Sequence, residues 1–187
     1  MERLEFISFP NGAVPHRRAS APSGGEARSM IAFFVNEHLA FGSKVRLKRH
    51  VEKLQSLGIT HVIDVRYYPT KKLKEFRTIH LNFRDNAGPR PMWFYERAWK
   101  FYKSALKRPQ PKVFVMCRAG RRRSASLTYF LLRASGVAKR KAEDDIKRAR
   151  PCAQIVRSYR DSGEQFLRQE SNISKLKSKA VAVTSRF

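Results

Sequence analysis

The run KVFVMCRAGRRRSASLTYFLLRASG, residues 112–136, ends an apolar stretch in Cys117 and then places Arg118, Arg121, Arg122 and Arg123 within six residues. Four like charges repel one another, so a loop built this way suits an anion that neutralises them. KVFVM has no polar alternation, the pattern of a strand buried on both faces of a parallel sheet. SASLTYFLLRASG reads as a largely apolar helix ended by Gly136. Cys117 therefore falls at the carboxyl end of a buried strand, in the loop that opens the next helix, where ligands bind in open parallel sheets. Successive backbone N–H groups of such a loop form an anion cradle, and the helix N-terminus adds unpaired donors and the positive end of its dipole. Arg123 offers a planar two-pronged donor that matches a phosphate better than a lysine does. A cysteine in such a setting ionises readily, and a thiolate beside a bound phosphate is a nucleophile aimed at phosphorus. A lone cysteine at a strand end is usually a packing residue. Here the five-residue spacing to Arg123, the intervening Gly120 and the strand-loop-helix setting occur together and override that reading.

The elements that must position this loop follow from the rest of the chain. Residues 1–29, with FPNGAVPHRRASAPSGGEARS, read as a flexible leader. IAFFVNEHLAFGS reads as two short strands about a turn. KVRLKRHVEKLQSLG has apolar residues at 47, 51, 54 and 57, one face of a helix. ITHVIDVR is a β-branched strand, YYPTKKLKEF a loop or short helix, and RTIHLNF a further strand. RDNAGPRPMW is turn chemistry. MWFYERAWKFYKSALKR is an amphipathic helix with apolar positions 94, 98, 101, 102, 105 and 106. AKRKAEDDIKRAR and CAQIVRSYRDSGEQFLRQ read as two more helices separated by Pro151, and residues 171–187 as a basic, disordered tail. Alternating strands and helices around an apolar central strand predict an α/β fold, a mostly parallel sheet flanked by helices, with the globular domain spanning 30–170.

Composition limits the function classes. Forty basic against fifteen acidic side chains give a net charge of +25. That excess favours phosphorylated or polyanionic partners, with nonspecific contact to nucleic acid or anionic membranes through the basic surface and tail. The tail lacks the interleaved aromatics of a stacking platform. Two cysteines, Cys117 and Cys152, with no Cys-x-x-Cys pair, fit neither a disulfide scaffold nor a structural zinc site. Cys152 is read as a packing cysteine. The histidines at 16, 38, 50, 61 and 80 show no metal-ligand spacing, so no metal or cofactor is expected. Nor is any stretch apolar enough to span a membrane. A cytoplasmic monomer is the expectation.

The loop CRAGRRRS resembles the signature of cysteine-dependent phosphatases: a cysteine, five residues, an arginine and a hydroxyl residue. More narrowly, residues 31–170 resemble the dual-specificity branch of the protein tyrosine phosphatase superfamily. LQSLGITHVIDVR is similar to its early helix and strand, and YERAWKFYKSALKRPQPKVFVMC to those feeding the signature. The resemblance implies that Cys117 attacks phosphorus and that Arg123 holds the equatorial oxygens with the amides of Arg118, Ala119, Gly120, Arg121 and Arg122. It further implies that Ser124 assists release of the thiolate. The family's general acid, an aspartate on a separate loop, is matched by Asp85 in the turn after IHLNF; Asp64, inside a strand, suits that role less well. One departure is Met116, where the family carries a histidine. The implied activity is phosphomonoester hydrolysis on phosphotyrosine, phosphoserine or phosphothreonine of proteins. The three variable arginines keep open a phosphoinositide or RNA 5′-phosphate substrate, and Met116 keeps open a weak phosphate-binding module. Sulfur transfer of the rhodanese type needs neither Arg123 at this spacing nor an upstream acid.

Overall fold

The computed structural model describes residues 31–71 and 73–184. In chain order these form β1 (Ala32–Phe34), β2 (Leu39–Gly42), α1 (Lys48–Ser56), β3 (His61–Asp64), β4 (Arg77–His80), α2 (Met92–Leu106), β5 (Val113–Met116), α3 (Arg123–Ala134), α4 (Lys139–Ala149) and α5 (Arg157–Thr184). The strands make one sheet in the order β1-β2-β5-β3-β4. β5 pairs in parallel with β2 and β3, β3 in parallel with β4, and β1 is the antiparallel edge. The apolar run that leads to Cys117 is thus the middle strand, as its lack of alternation required.

Alternation along the strands separates two cores. Leu39, Phe41, Ile63, Val113 and Val115 point toward α2, α3 and α5. Ala40, Val62, Phe114 and Met116 point the other way, toward Val51 and Leu54 of α1 and toward Leu73 and Phe76. Each fully buried side chain of this size contributes about 1.5–3 kcal/mol relative to exposure, so register along β5 is strongly specified. Met116, at the position where the resembled family carries histidine, is wholly buried in the α1-side core. Its side chain leaves the sheet on the face opposite Cys117, and it packs there as a hydrophobe.

α3 is the central helix, buried on nearly every side. α5 is fixed to it by Glu164, which accepts from the Tyr129 hydroxyl at 2.6 Å and from Arg133 Nε at 2.7 Å. Burial alone would raise the Glu164 carboxyl, but the bonds from Arg133 and Tyr129 outweigh it and hold it below the usual carboxylate range.

Two sequence expectations need correction. Residues 152–156 are not helical, because their amides are used elsewhere. The Gln154 N–H donates to the Arg121 carbonyl at 2.7 Å and the Val156 N–H to Ser126 Oγ at 2.9 Å. Conversely, the segment from 171, expected to be disordered, continues α5 to Thr184. It contains no Gly or Pro, and a helix already nucleated by packing extends without a second nucleation cost. The expected leader, residues 1–29, lies outside the described residues. Among the described residues no helix is long and apolar enough to cross a membrane.

Candidate active site

The loop between β5 and α3 is shaped by backbone contact with the end of β2. The Cys117 N–H donates to the Gly42 carbonyl at 3.2 Å, and Ala119 bridges to Ser43. Gly120 turns the chain with φ +66°, and a Cβ there would stand 2.4 Å from the Gly42 carbonyl carbon and 2.5 Å from Ser43 N. Both the dihedral and the close approach demand glycine. The loop is braced from the far side by Arg150, whose Nη1 donates to the Gly120 carbonyl at 2.6 Å. Within it, Cys117 Sγ accepts the Gly120 N–H at 3.2 Å and lies 3.2 Å from Ser124 Oγ. The thiol is 2% exposed, and no side chain caps the start of α3. The first-turn amides of that helix therefore keep their capacity for an anion.

Arg123 is anchored beneath this opening. Its Nη1 donates to the carbonyl of Phe83 at 2.8 Å and faces that of Val65 at 3.5 Å. Its Nε is buried without a hydrogen-bond partner, the nearest acidic oxygen being Asp85 Oδ2 at 3.6 Å. Asp85 also stands 3.6 Å from Arg122 Nη1 and 3.4 Å from the Tyr159 hydroxyl. An unpaired buried guanidinium N–H is costly, and this one keeps unused donor capacity beside Asp85. Asp64 is placed otherwise: 1% exposed, it accepts Nε and Nη2 of Arg66, both at 2.9 Å, and the Thr70 N–H. It is consumed by fold-internal bonds and does not reach the loop.

The structure sorts the variable arginines. Arg122 faces Asp85. Arg121 Nε reaches the Cys152 carbonyl at 3.4 Å. Arg118 lies on the β2 side, where its carbonyl faces the Lys44 N–H at 3.5 Å. Cys152, read from the sequence as a packing residue, is exposed, because the segment after Pro151 is irregular rather than helical. The sequence reading missed the residues of α5 that hold the Asp85 loop. Tyr159 accepts the Ala87 N–H at 2.9 Å, Ser158 donates to the Ala87 carbonyl, and Ser162 accepts the Arg90 N–H at 3.2 Å. These contacts join residues more than 70 positions apart, for which no local sequence signal exists. Among the described residues no three His, Cys, Asp or Glu side chains come together as a metal ion would need.

The family model for the dual specificity phosphatase catalytic domain matches residues 39–162, well over half of the chain, and the protein belongs to that family. Its fold is that of solved members of the wider group. A mouse putative dual specificity phosphatase complexed with zinc tungstate superposes with a TM-score of 0.67 at 19% identity, covering 86% of this chain and 97% of that one. PTPMT1 in complex with PI(5)P gives 0.66 at 18%, covering 76% and 98%. The human tyrosine phosphatase-like serine/threonine/tyrosine-interacting protein gives 0.64 at 23%, covering 72% and 94%. No curated protein matches in sequence. At these identities the likeness concerns the fold.

Proposed function

We propose that the protein is a cysteine-dependent phosphatase that hydrolyses phosphomonoesters through a cysteinyl-phosphate intermediate, with phosphorylated protein side chains as its substrate. The observation that carries this reading is the buried Arg123 Nε with no hydrogen-bond partner, beside the uncapped start of α3 that follows Cys117. In the first step the Cys117 thiolate attacks phosphorus, the bond to the ester oxygen breaks, and Asp85 gives that oxygen its proton. Arg123 and the amides of residues 118–123 hold the equatorial oxygens, where the transition-state charge accumulates. In the second step water attacks phosphorus, Asp85 takes its proton, and the sulfur–phosphorus bond breaks. Ser124 Oγ, 3.2 Å from Sγ, donates to the departing sulfur. Arg122, paired with Asp85, holds the acid over the cradle.

Hydrolysis of para-nitrophenyl phosphate between pH 5 and 8 in EDTA tests the scheme. Activity is expected in the wild type, abolished in Cys117→Ser and reduced about 10²-fold or more in Asp85→Asn, the range of general acid catalysis. A wild type that binds tungstate yet releases no phosphate would establish a binding module instead.

A further inference from the structure

The chain leaving β3 and the chain leaving β4 meet at one side chain. Arg123 Nη1 donates to the Phe83 carbonyl at 2.8 Å and faces the Val65 carbonyl at 3.5 Å. Tyr67 follows Val65 by two residues and Arg84 follows Phe83 directly, and two residues carry a chain at most about 7 Å. Tyr67 and Arg84 therefore stand close to the Arg123 guanidinium, on the same side of β5 as Asp85. They also hold each other. Arg84 Nη2 donates to the Tyr67 hydroxyl at 2.8 Å, and the guanidinium carbon lies 4.7 Å from the Tyr67 ring centre. Tyr68 packs edge to face with Tyr67, the ring centres 4.6 Å apart.

The turn that carries these rings is tied down at its base. Asp64, buried at the end of β3, accepts the N–H of Arg66 and the N–H of Thr70, both at 3.1 Å, which closes residues 66–70 over one carboxylate. The Arg66 side chain adds two bonds to that carboxylate. His80 Nε2 donates to the Arg66 carbonyl at 2.8 Å and joins the turn to β4. The tip is treated differently. Tyr68 is 75% exposed, more than any other large hydrophobic side chain among the described residues. A ring stabilises a fold by being buried, and Tyr68 is not. Rings that are fixed in place without a packing task suit the capture of another flat ring. Aromatic pairs gain beyond the area they bury, and a rigid aromatic side chain loses little freedom on binding.

We infer that Tyr67 and Tyr68, held by Arg84 and by the Asp64 turn, are specificity-determining residues that select an aromatic leaving group. Phosphotyrosine is then the preferred protein substrate over phosphoserine and phosphothreonine. The phosphate enters the cradle over Cys117, and the ring that carries it lies against the tyrosine wall on the Asp85 side. The inference deepens the phosphatase reading and rests on it for where the phosphate sits. An aliphatic phosphoester has no ring to offer and leaves both tyrosines unused.

Titration calorimetry on the full chain carrying Cys117→Ser, which lacks the nucleophile, measures selection apart from the unequal reactivity of aryl and alkyl esters. The probes are N-acetyl-phosphotyrosine amide and N-acetyl-phosphoserine amide at pH 8, where both phosphates are dianions. The aryl compound is expected to bind about tenfold more tightly. Adding Tyr68→Ala should shrink that preference to about threefold, and Tyr67→Ala with Tyr68→Ala to about twofold or less. Tyr68→Phe, which keeps the ring, should retain it. The ratio is read within each variant, so a general loss of affinity cancels. Ile173→Ala, which removes an exposed apolar side chain of α5, should leave the ratio intact. No preference for the aryl compound, or a preference that survives the loss of both tyrosines, overturns the inference. An active wild type with para-nitrophenyl phosphate would then leave the phosphatase reading standing. An inert wild type with a tyrosine-dependent preference would do the reverse, leaving a binder of aryl phosphates.

Discussion

At the scale of single residues, Ser124 makes the contact that, in the proposed scheme, distinguishes the two chemical steps. Its hydroxyl touches Cys117 Sγ, and it is wholly buried at the start of α3. In the first step the sulfur is a nucleophile and needs no help from Ser124. In the second it is a leaving group, and a hydroxyl donor stabilises the charge that returns to it. Ser124→Ala is therefore expected to lower the steady-state kcat about 10–100-fold, the worth of one lost hydrogen bond to a charged atom. The release of nitrophenol should keep a fast first-turnover burst. A burst of one equivalent followed by slow turnover in rapid-quench measurements bears this out; a mutant slow in its first turnover places Ser124 elsewhere in the scheme. Cys117, Gly120, Arg123 and Ser124 were legible because their geometry is local: a strand end, a turn and a helix start within eight residues. Met116 was visible as a departure, but which core it fills was not, since that depends on the pleat and on α1.

Among the elements, α5 has a role that its sequence did not announce. Its residues 158, 159 and 162 lie on one face, and each bonds the loop that carries Asp85. Arg90 extends the clamp, stacked 4.4 Å from the Phe83 ring centre and 5.2 Å from that of Tyr159. Burial is the first cause of the raised Tyr159 pKa. The phenol therefore stays protonated throughout a pH 5–8 assay, donating to Asp85 while accepting from Ala87. Tyr159→Phe leaves the Ala87 N–H without its acceptor and frees the loop. A drop in kcat of roughly 3–10-fold with KM nearly unchanged is expected, matching about 1 kcal/mol of lost positioning. If Tyr159 acts through Asp85, the change adds nothing in an Asp85→Asn background; losses that multiply in the double variant would make its role merely structural. α1 and α2 were readable from their apolar periodicity, and β3 and β5 from short apolar runs that are buried throughout. The start of α5 was not, because the amides of Gln154 and Val156 are claimed by Arg121 and Ser126.

For the molecule as a whole, the sequence stated the charge of +25, and the structure shows where the few carboxylates go. Asp64, Asp85, Asp145 and Glu164 are each held by arginine or lysine. These four acids are thus spent on local pairs, and the positive excess is left to act outward. Such a field raises the local concentration of anionic substrate over a distance set by screening, about 10 Å at 0.1 M salt and about 3 Å at 1 M. Arg123 behaves differently. At 8% exposure it is anchored by backbone carbonyls, and a contact made inside a closed pocket is screened far less. Encounter and chemistry should therefore separate as salt is added. With para-nitrophenyl phosphate, KM is expected to rise several-fold between 25 and 500 mM ionic strength, on the order of the steering effects of charged clefts, while kcat stays within roughly a factor of two. The titration should be repeated with chloride and acetate at matched ionic strength, since an anion that competes for the cradle would raise KM according to its identity. A common curve for both salts assigns the effect to the field. A KM indifferent to salt would mean that the excess charge lies away from the approach to Cys117, and that the local pairs around the loop govern binding by themselves.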